Sequence, residues 1–313
     1  MSTPNPFDPG LFRPESVSAE TAAFNRALGD RLANVPKWWE DPTAMSRIFP
    51  PPVLSPRARN DAFETKDGRK IGLRVLAPPS PTGIYLHIHG GGLVLGTADG
   101  QDQMLERIAD STGLVCVSVE YRLAPAHPWP AAWDDCEAAA MWLAERGKSE
   151  LGVELVAIGG ESAGATLAVP TMVRMRDKHG FAFRAANLTF GNYDTSMTPS
   201  QRIIGRSSVL LQTVDIEHCS DAYAPDVSRR RDPDLSALYA ELQGLGPALF
   251  TVGTGDPFLD DSLFVYARWI AAGNEAELAV YPGGVHGFTM FPIPIAEQAN
   301  RRIDAFLKRH SSA

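Results

Sequence analysis

The sequence predicts an α/β protein built on a mostly parallel sheet with helices on both faces. Two observations carry that prediction. Short, nearly continuous apolar runs recur from Lys70 onward, and helix-like stretches fill most of the gaps between them. A strand buried on both faces has no solvated side to mark with polar residues, and parallel neighbours need a crossover, which the helices supply.

The elements follow in order. Residues 1 to 58 have a different texture: a Pro-rich start, a helical stretch around Ala19 to Ala33, and then "VPKWWEDPTAMSRIFPPPVLSP". Pro50, Pro51, Pro52 and Pro56 prevent a helix from running through them. This segment reads as an appendage to a core that begins near residue 59. The strand-like runs are "IGLRVLAP", "GIYLHIH", "LVCVSVEY", "ELVAIGG", "ANLTFGN", "ALFTVGT" and "ELAVYPG". Helices are expected over Trp133 to Arg146, after Ser162, over Asp261 to Ala272 and over Ile295 to Lys308.

Bulk properties narrow the function classes. At 313 residues and 44 % hydrophobic content the chain can fill a sizeable core. No apolar stretch approaches the roughly 20 residues that cross a bilayer, so no membrane association is expected. "MSTPNPFDPG" lacks the basic start and apolar run of a secretory leader. Cys116, Cys136 and Cys219 are odd in number with no CxxC spacing, which fits a reducing cytoplasm better than a disulfide framework. The net charge of −8 argues against a nucleic-acid footprint, and the run Arg229, Arg230, Arg231 reads as a solvated face. No cofactor or metal is expected, because no His, Asp and Glu cluster has ligand spacing.

Two glycine clusters point to chemistry. Gly160-Glu161-Ser162-Ala163-Gly164 is a G-x-S-x-G between a strand-like run and a helix. A serine on so sharp a turn is strained, and the turn closes only if the residues two before and two after lack bulk. The following helix aims its N-terminal N–H groups at the same spot. A serine hydroxyl needs a base, and the base needs an orienting acid.

Among seven histidines, His286 in "YPGGVHGF" lies in a Gly-rich loop just after the last strand-like run, where it can reach over the sheet. His87 lies on a buried strand, His127 in a Pro-rich loop, and His179 and His310 near helix ends; His218, beside Cys219, is harder to set aside. Asp256 follows the run "ALFTVGT" and would stand at the same end of the sheet, while Asp260 or Asp261 could cap the next helix. Ser162, Asp256 and His286 occur in the order nucleophile, acid, base, which is the order a strand–turn–helix serine site of this kind uses. The other cluster, "HGGG" after a strand, would let Gly91 and Gly92 turn N–H groups toward a developing oxyanion, with Ala163 N–H as a third donor. His89 reads as a structural lock for that loop. A base of this kind must be neutral to accept the serine proton, so activity is expected to rise with pH through the ordinary histidine range.

Together "HGGG", "EYRLAPAHPWPAAWDD", "GESAG", "GDPFLDD" and "HGF" resemble the bacterial hormone-sensitive-lipase-like branch of the α/β-hydrolases, over roughly residues 58 to 310. The resemblance implies a mostly parallel eight-stranded sheet and a serine carboxylesterase acting on short-chain esters. It also implies a helical cap from residues 1–58, completed by about 192–225, over a catalytic domain of 59–313. Leu93, Trp38 and Phe288 are expected to line the pocket, and the loop Asn192 to Gln201 to join the cap. Arg122 and Asp134 match the "YRLAP…D" stretch as loop support. Homodimerisation through "ELAVYP" is a further implication. The chain departs from the commoner family form at Glu161, Ala165, Ala126 and Leu259. A lactonase, amidase or acyltransferase would use the same triad, and a ligand-binding protein could use the same scaffold without turnover.

Overall fold

The computed structural model describes residues 7–41, 44 and 51–311. Pro50 and parts of the segment 1–58 (residues 1–6, 42–43 and 45–50) therefore lie outside the described residues. Eight strands form a single sheet in the order β1 (Arg59–Glu64), β2 (Lys70–Leu76), β4 (Leu114–Glu120), β3 (Gly83–Ile88), β5 (Leu155–Glu161), β6 (Ala185–Thr189), β7 (Ala248–Gly255) and β8 (Ala276–Val285). β1 and β2 pair antiparallel, as do β2 and β4, and the remaining pairs are parallel. Seven of the eight strands coincide with the apolar runs of the sequence. The eighth, β1, is "RNDAFE", with only Phe63 buried; an edge strand this polar carries no apolar run to announce it.

Among the described residues, α-helices run over α1 (Ala19–Leu32), α2 (Asp102–Thr112), α3 (Ala131–Leu151), α4 (Ala163–His179), α5 (Pro199–Ile203), α6 (Thr213–Tyr223), α7 (Leu259–Ala271) and α8 (Pro294–Ser311). Ser18 caps α1 by accepting from Thr21 N–H. α3 is longer than the expected Trp133 to Arg146 because polar residues continue its exposed face until Gly152 ends it at φ 79°. α2 and α8 pack on each other, and α3 packs on α4. In β3, Ile84 lies against Gly147 of α3, so alternate residues Tyr85 and His87 face the other side of the sheet.

β3 leads to β4 on one side and β5 leads to β6 on the other, so the strand order reverses between β3 and β5. Such a switch point opens a crevice at the carboxyl ends of the strands. Four loops meet there: those after β3, β5, β7 and β8. The segment before β1 is tied to the core where Ser55 N–H donates to Asp102, which also holds Arg74 in a buried ion pair.

Candidate active site

The turn after β5 shows why its two glycines are needed. A Cβ on Gly160 would lie 2.0 Å from the Ile88 carbonyl oxygen, and one on Gly164 would lie 1.8 Å from the same atom. Neither position has room for any side chain. Between them Ser162 takes φ 55°, ψ −119°, a conformation that costs on the order of 1–3 kcal/mol and persists only where neighbours enforce it. Ser162 N–H donates to Thr189 O, and Ser162 O accepts from Thr166 N–H at the start of α4.

Ser162 Oγ lies 2.9 Å from His286 Nε2. On the other side of the imidazole, Nδ1 lies 3.1 and 3.0 Å from the two carboxylate oxygens of Asp256. A carboxylate accepts only, so Nδ1 carries the proton and Nε2 faces the serine hydroxyl as acceptor. Asp256 is fully buried and also accepts from Phe258 N–H. The rings of Phe190 and Phe258 stand edge-on to His286 at 4.9 and 5.2 Å and fix its plane. The arrangement can pass a proton from the serine to an imidazole whose tautomer is set from behind.

The loop after β3 turns on Gly91 (φ 122°) and Gly92 (φ 64°), and Gly91 O accepts from both Val94 and Leu95 N–H. A Cβ on Gly91 would lie 2.1 Å from Leu95 O, and one on Gly92 would lie 2.6 Å from Cys219 Sγ of α6. Among the described residues no backbone group accepts from Gly91 or Gly92 N–H. Ala163 opens α4, where N–H groups have no partner within the helix. His89 stacks on Tyr121 at 4.2 Å, its Nδ1 meets Gly90 O at 2.8 Å, and Tyr121 O–H donates to His89 O. Burial lowers its pKa to about 4, which keeps the ring neutral.

A cavity of about 570 Å³ lies over Ser162, walled by these loops, by residues 29–38 and by residues 207–223. Leu93 and Trp38 line it, as does Asn192. Phe288 does not. It is fully buried against Tyr281 and Phe190, and Met290, two residues on and half-exposed, reaches the cavity instead. A short turn at Phe288–Met290 rotates these neighbours to opposite sides. His218 is not at the serine; it stacks on Trp39 at 4.2 Å and meets Trp38 edge-on. Lys37 Nζ donates to Gln212 and pairs with Asp215, so both walls above the cavity are joined by side-chain contacts.

Two polar arrangements go beyond the sequence reading. Arg122 makes its bidentate pair with Asp135, whereas Asp134 faces Arg174, because one residue along a helix turns the side chain about 100°. Asp261 caps no helix; it is fully buried and accepts from Tyr193 and Asp194 N–H, Thr198 O–H and Gln201 Nε2–H, holding the loop that carries Asn192. Among the described residues no group of three or more His, Cys, Asp or Glu side chains could hold a metal ion, and no helix is long and apolar enough to cross a membrane.

Residues 85–290 match the family described as having the alpha/beta hydrolase fold. The esterase LipI of Mycobacterium tuberculosis is 32 % identical over 245 residues, covering 74 % of this chain and 76 % of that protein. The acetyl esterase of Salmonella schwarzengrund is 29 % identical over 70 % of this chain and 69 % of its own. Among solved structures, an esterase of Pyrobaculum calidifontis superposes with TM-score 0.77 at 27 % identity, covering 99 % of this chain and 100 % of that one. A hormone-sensitive lipase from a metagenome library superposes with TM-score 0.82 at 22 % identity over 95 % of this chain and 100 % of that one, a likeness of fold.

Proposed function

The chain belongs to the hormone-sensitive-lipase-like esterase family of the α/β-hydrolase superfamily and is a carboxylic ester hydrolase, and from that premise we propose that it cleaves short-chain esters through an acyl-enzyme on Ser162. The observation that carries this reading is the unbroken contact series Ser162 Oγ, His286, Asp256, with both links at hydrogen-bonding distance. In the first step the Ser162 oxygen bonds to the ester carbonyl carbon while His286 Nε2 takes its proton. The carbonyl electrons move onto oxygen, which accepts hydrogen bonds from the N–H groups of Gly91, Gly92 and Ala163. As the C–O bond to the alcohol breaks, His286 returns its proton to the leaving alkoxide. Water then repeats the sequence on the acyl-enzyme and releases the acid and free Ser162. Asp256 keeps the proton on Nδ1 and stabilises the imidazolium without itself being protonated.

Leu93 and Trp38 are the proposed pocket walls, and the mixed lining of the cavity suits a small ester of modest apolarity. The test is hydrolysis of p-nitrophenyl esters from acetate to palmitate by the wild type beside Ser162→Ala. Turnover of the short esters with a fall of roughly 10⁴-fold or more in the variant is expected. Equal activity in the two proteins would remove Ser162 from the mechanism.

A further inference from the structure

We propose that Glu161 is a positioning residue for the nucleophile, anchored through His87 to β3 and β4 so that the Ser162 turn and the oxyanion loop keep a fixed relation. The inference rests on Ser162 being the nucleophile. Glu161 is the last residue of β5 and only 4 % exposed, and its Oε2 lies 3.1 Å from Nε2 of the fully buried His87. The other ring nitrogen of His87 lies 2.9 Å from the Ser118 hydroxyl on β4. In the sheet His87 is paired with Ser118 on one side and Gly159 on the other. Gly159 presents no side chain, so the imidazole reaches past it to Glu161, two residues on and on the same face. Glu161, a position at which the chain departs from the commoner family form, reaches a partner on the neighbouring strand.

Stability is a poor explanation for this pair. Burying polar groups is costly, and apolar residues of similar volume can replace a buried polar pair with little loss. Its location is more informative. Glu161 immediately precedes the strained Ser162, and its carbonyl oxygen would lie 2.9 Å from a Cβ on Gly90, the first glycine of the oxyanion loop. Pairing with Thr189 fixes its backbone from the β6 side. One residue is thus held by its side chain and its strand pairing, and its carbonyl lies close against the loop that faces the serine turn. Freeing the side chain removes one of those restraints.

The experiment uses the full chain and measures kcat and KM on the preferred p-nitrophenyl ester, thermal midpoint, and stoichiometric phosphonate labelling of Ser162. Glu161→Ala and His87→Phe are expected to lose about 10- to 100-fold in kcat with KM within about twofold, as small misplacements of reacting groups do. Labelling should still reach one per chain. Glu161→Gln keeps an acceptor for His87 and should stay within about threefold of wild type, and the double variant Glu161→Ala/His87→Phe should lose no more than the worse single variant. Wild-type kcat in folded His87→Phe, losses that multiply in the double variant, or a Gln variant as slow as Ala would each overturn the proposal. If Glu161→Ala does not fold, Glu161→Gln and His87→Phe decide by the same measures. A wild type that takes up no phosphonate at Ser162 would instead refute the nucleophile assignment on which the inference stands.

Discussion

The two sides of the cavity are built differently. Below, at the carboxyl ends of β3 and β5, backbone lies on backbone: Gly160 and Gly164 face the Ile88 carbonyl, and Gly91 faces the Leu95 carbonyl, at distances that admit no Cβ. Above, residues 29–39 meet α6 through side chains, with Lys37 on Asp215 and Trp38 and Trp39 around His218. Backbone-to-backbone clamps have nowhere to relax, whereas long side chains have alternative rotamers. The groups proposed for bond making sit on the clamped side, and much of the wall that would meet the substrate sits on the adjustable one. Changes below should therefore appear in kcat, and changes above in KM and chain-length preference.

The largest effect that separates the two sides is expected at Gly92. Gly92→Ala places a Cβ 2.6 Å from Cys219 Sγ at a backbone φ of 64°, which turns the loop and its N–H away from the carbonyl. Loss of one such donor costs about 100- to 1000-fold in kcat. Steady-state kinetics that show the loss in KM alone would place Gly92 on the adjustable side. Next in size is an acid response of the clamped side. Burial holds His89 at about 4 against an ordinary 6.5, so the folded chain refuses a proton that the unfolded chain accepts. The stability gained from the neutral ring is complete above pH 6.5 and is withdrawn as pH falls toward 4, by up to about 3 kcal/mol. Urea unfolding from pH 7.5 to 4.5 should show a shallower pH slope in His89→Asn than in wild type, and identical slopes would assign the acid sensitivity elsewhere. The smallest effect is expected above the cavity. Trp38→Ala should raise KM for the longer esters about tenfold, the worth of a partly lost apolar contact, with kcat within about threefold. An equal fall in kcat would mean that the upper wall also sets the reacting geometry.

Where the sequence was informative, the constraint lay between residues close in the chain. A serine flanked at two residues on either side by glycine, after an apolar run and before a helix, states its own backbone problem, and "HGGG" does the same. The triad order and the strand-helix alternation likewise needed no knowledge of distant contacts. Strand β1 escaped notice because an exposed edge strand needs no apolar pattern. The sequence leaves open which of Asp134 and Asp135 meets Arg122, and it offers Phe288 as a pocket wall where Met290 stands, because a shift of one or two residues turns a side chain to another side without changing the local composition.

By itself, then, the sequence determined the sheet-and-helix alternation and the places where only glycine fits, because sterics between near neighbours act whatever the rest of the chain does. The tertiary structure alone decided which carboxylate Arg122 meets, which four donors surround Asp261, and that Glu161 and His87, 74 residues apart, share a hydrogen bond under the serine turn. Those are choices among chemically equivalent partners. Strand register and helix rotation settle them, and both are fixed only when the elements pack.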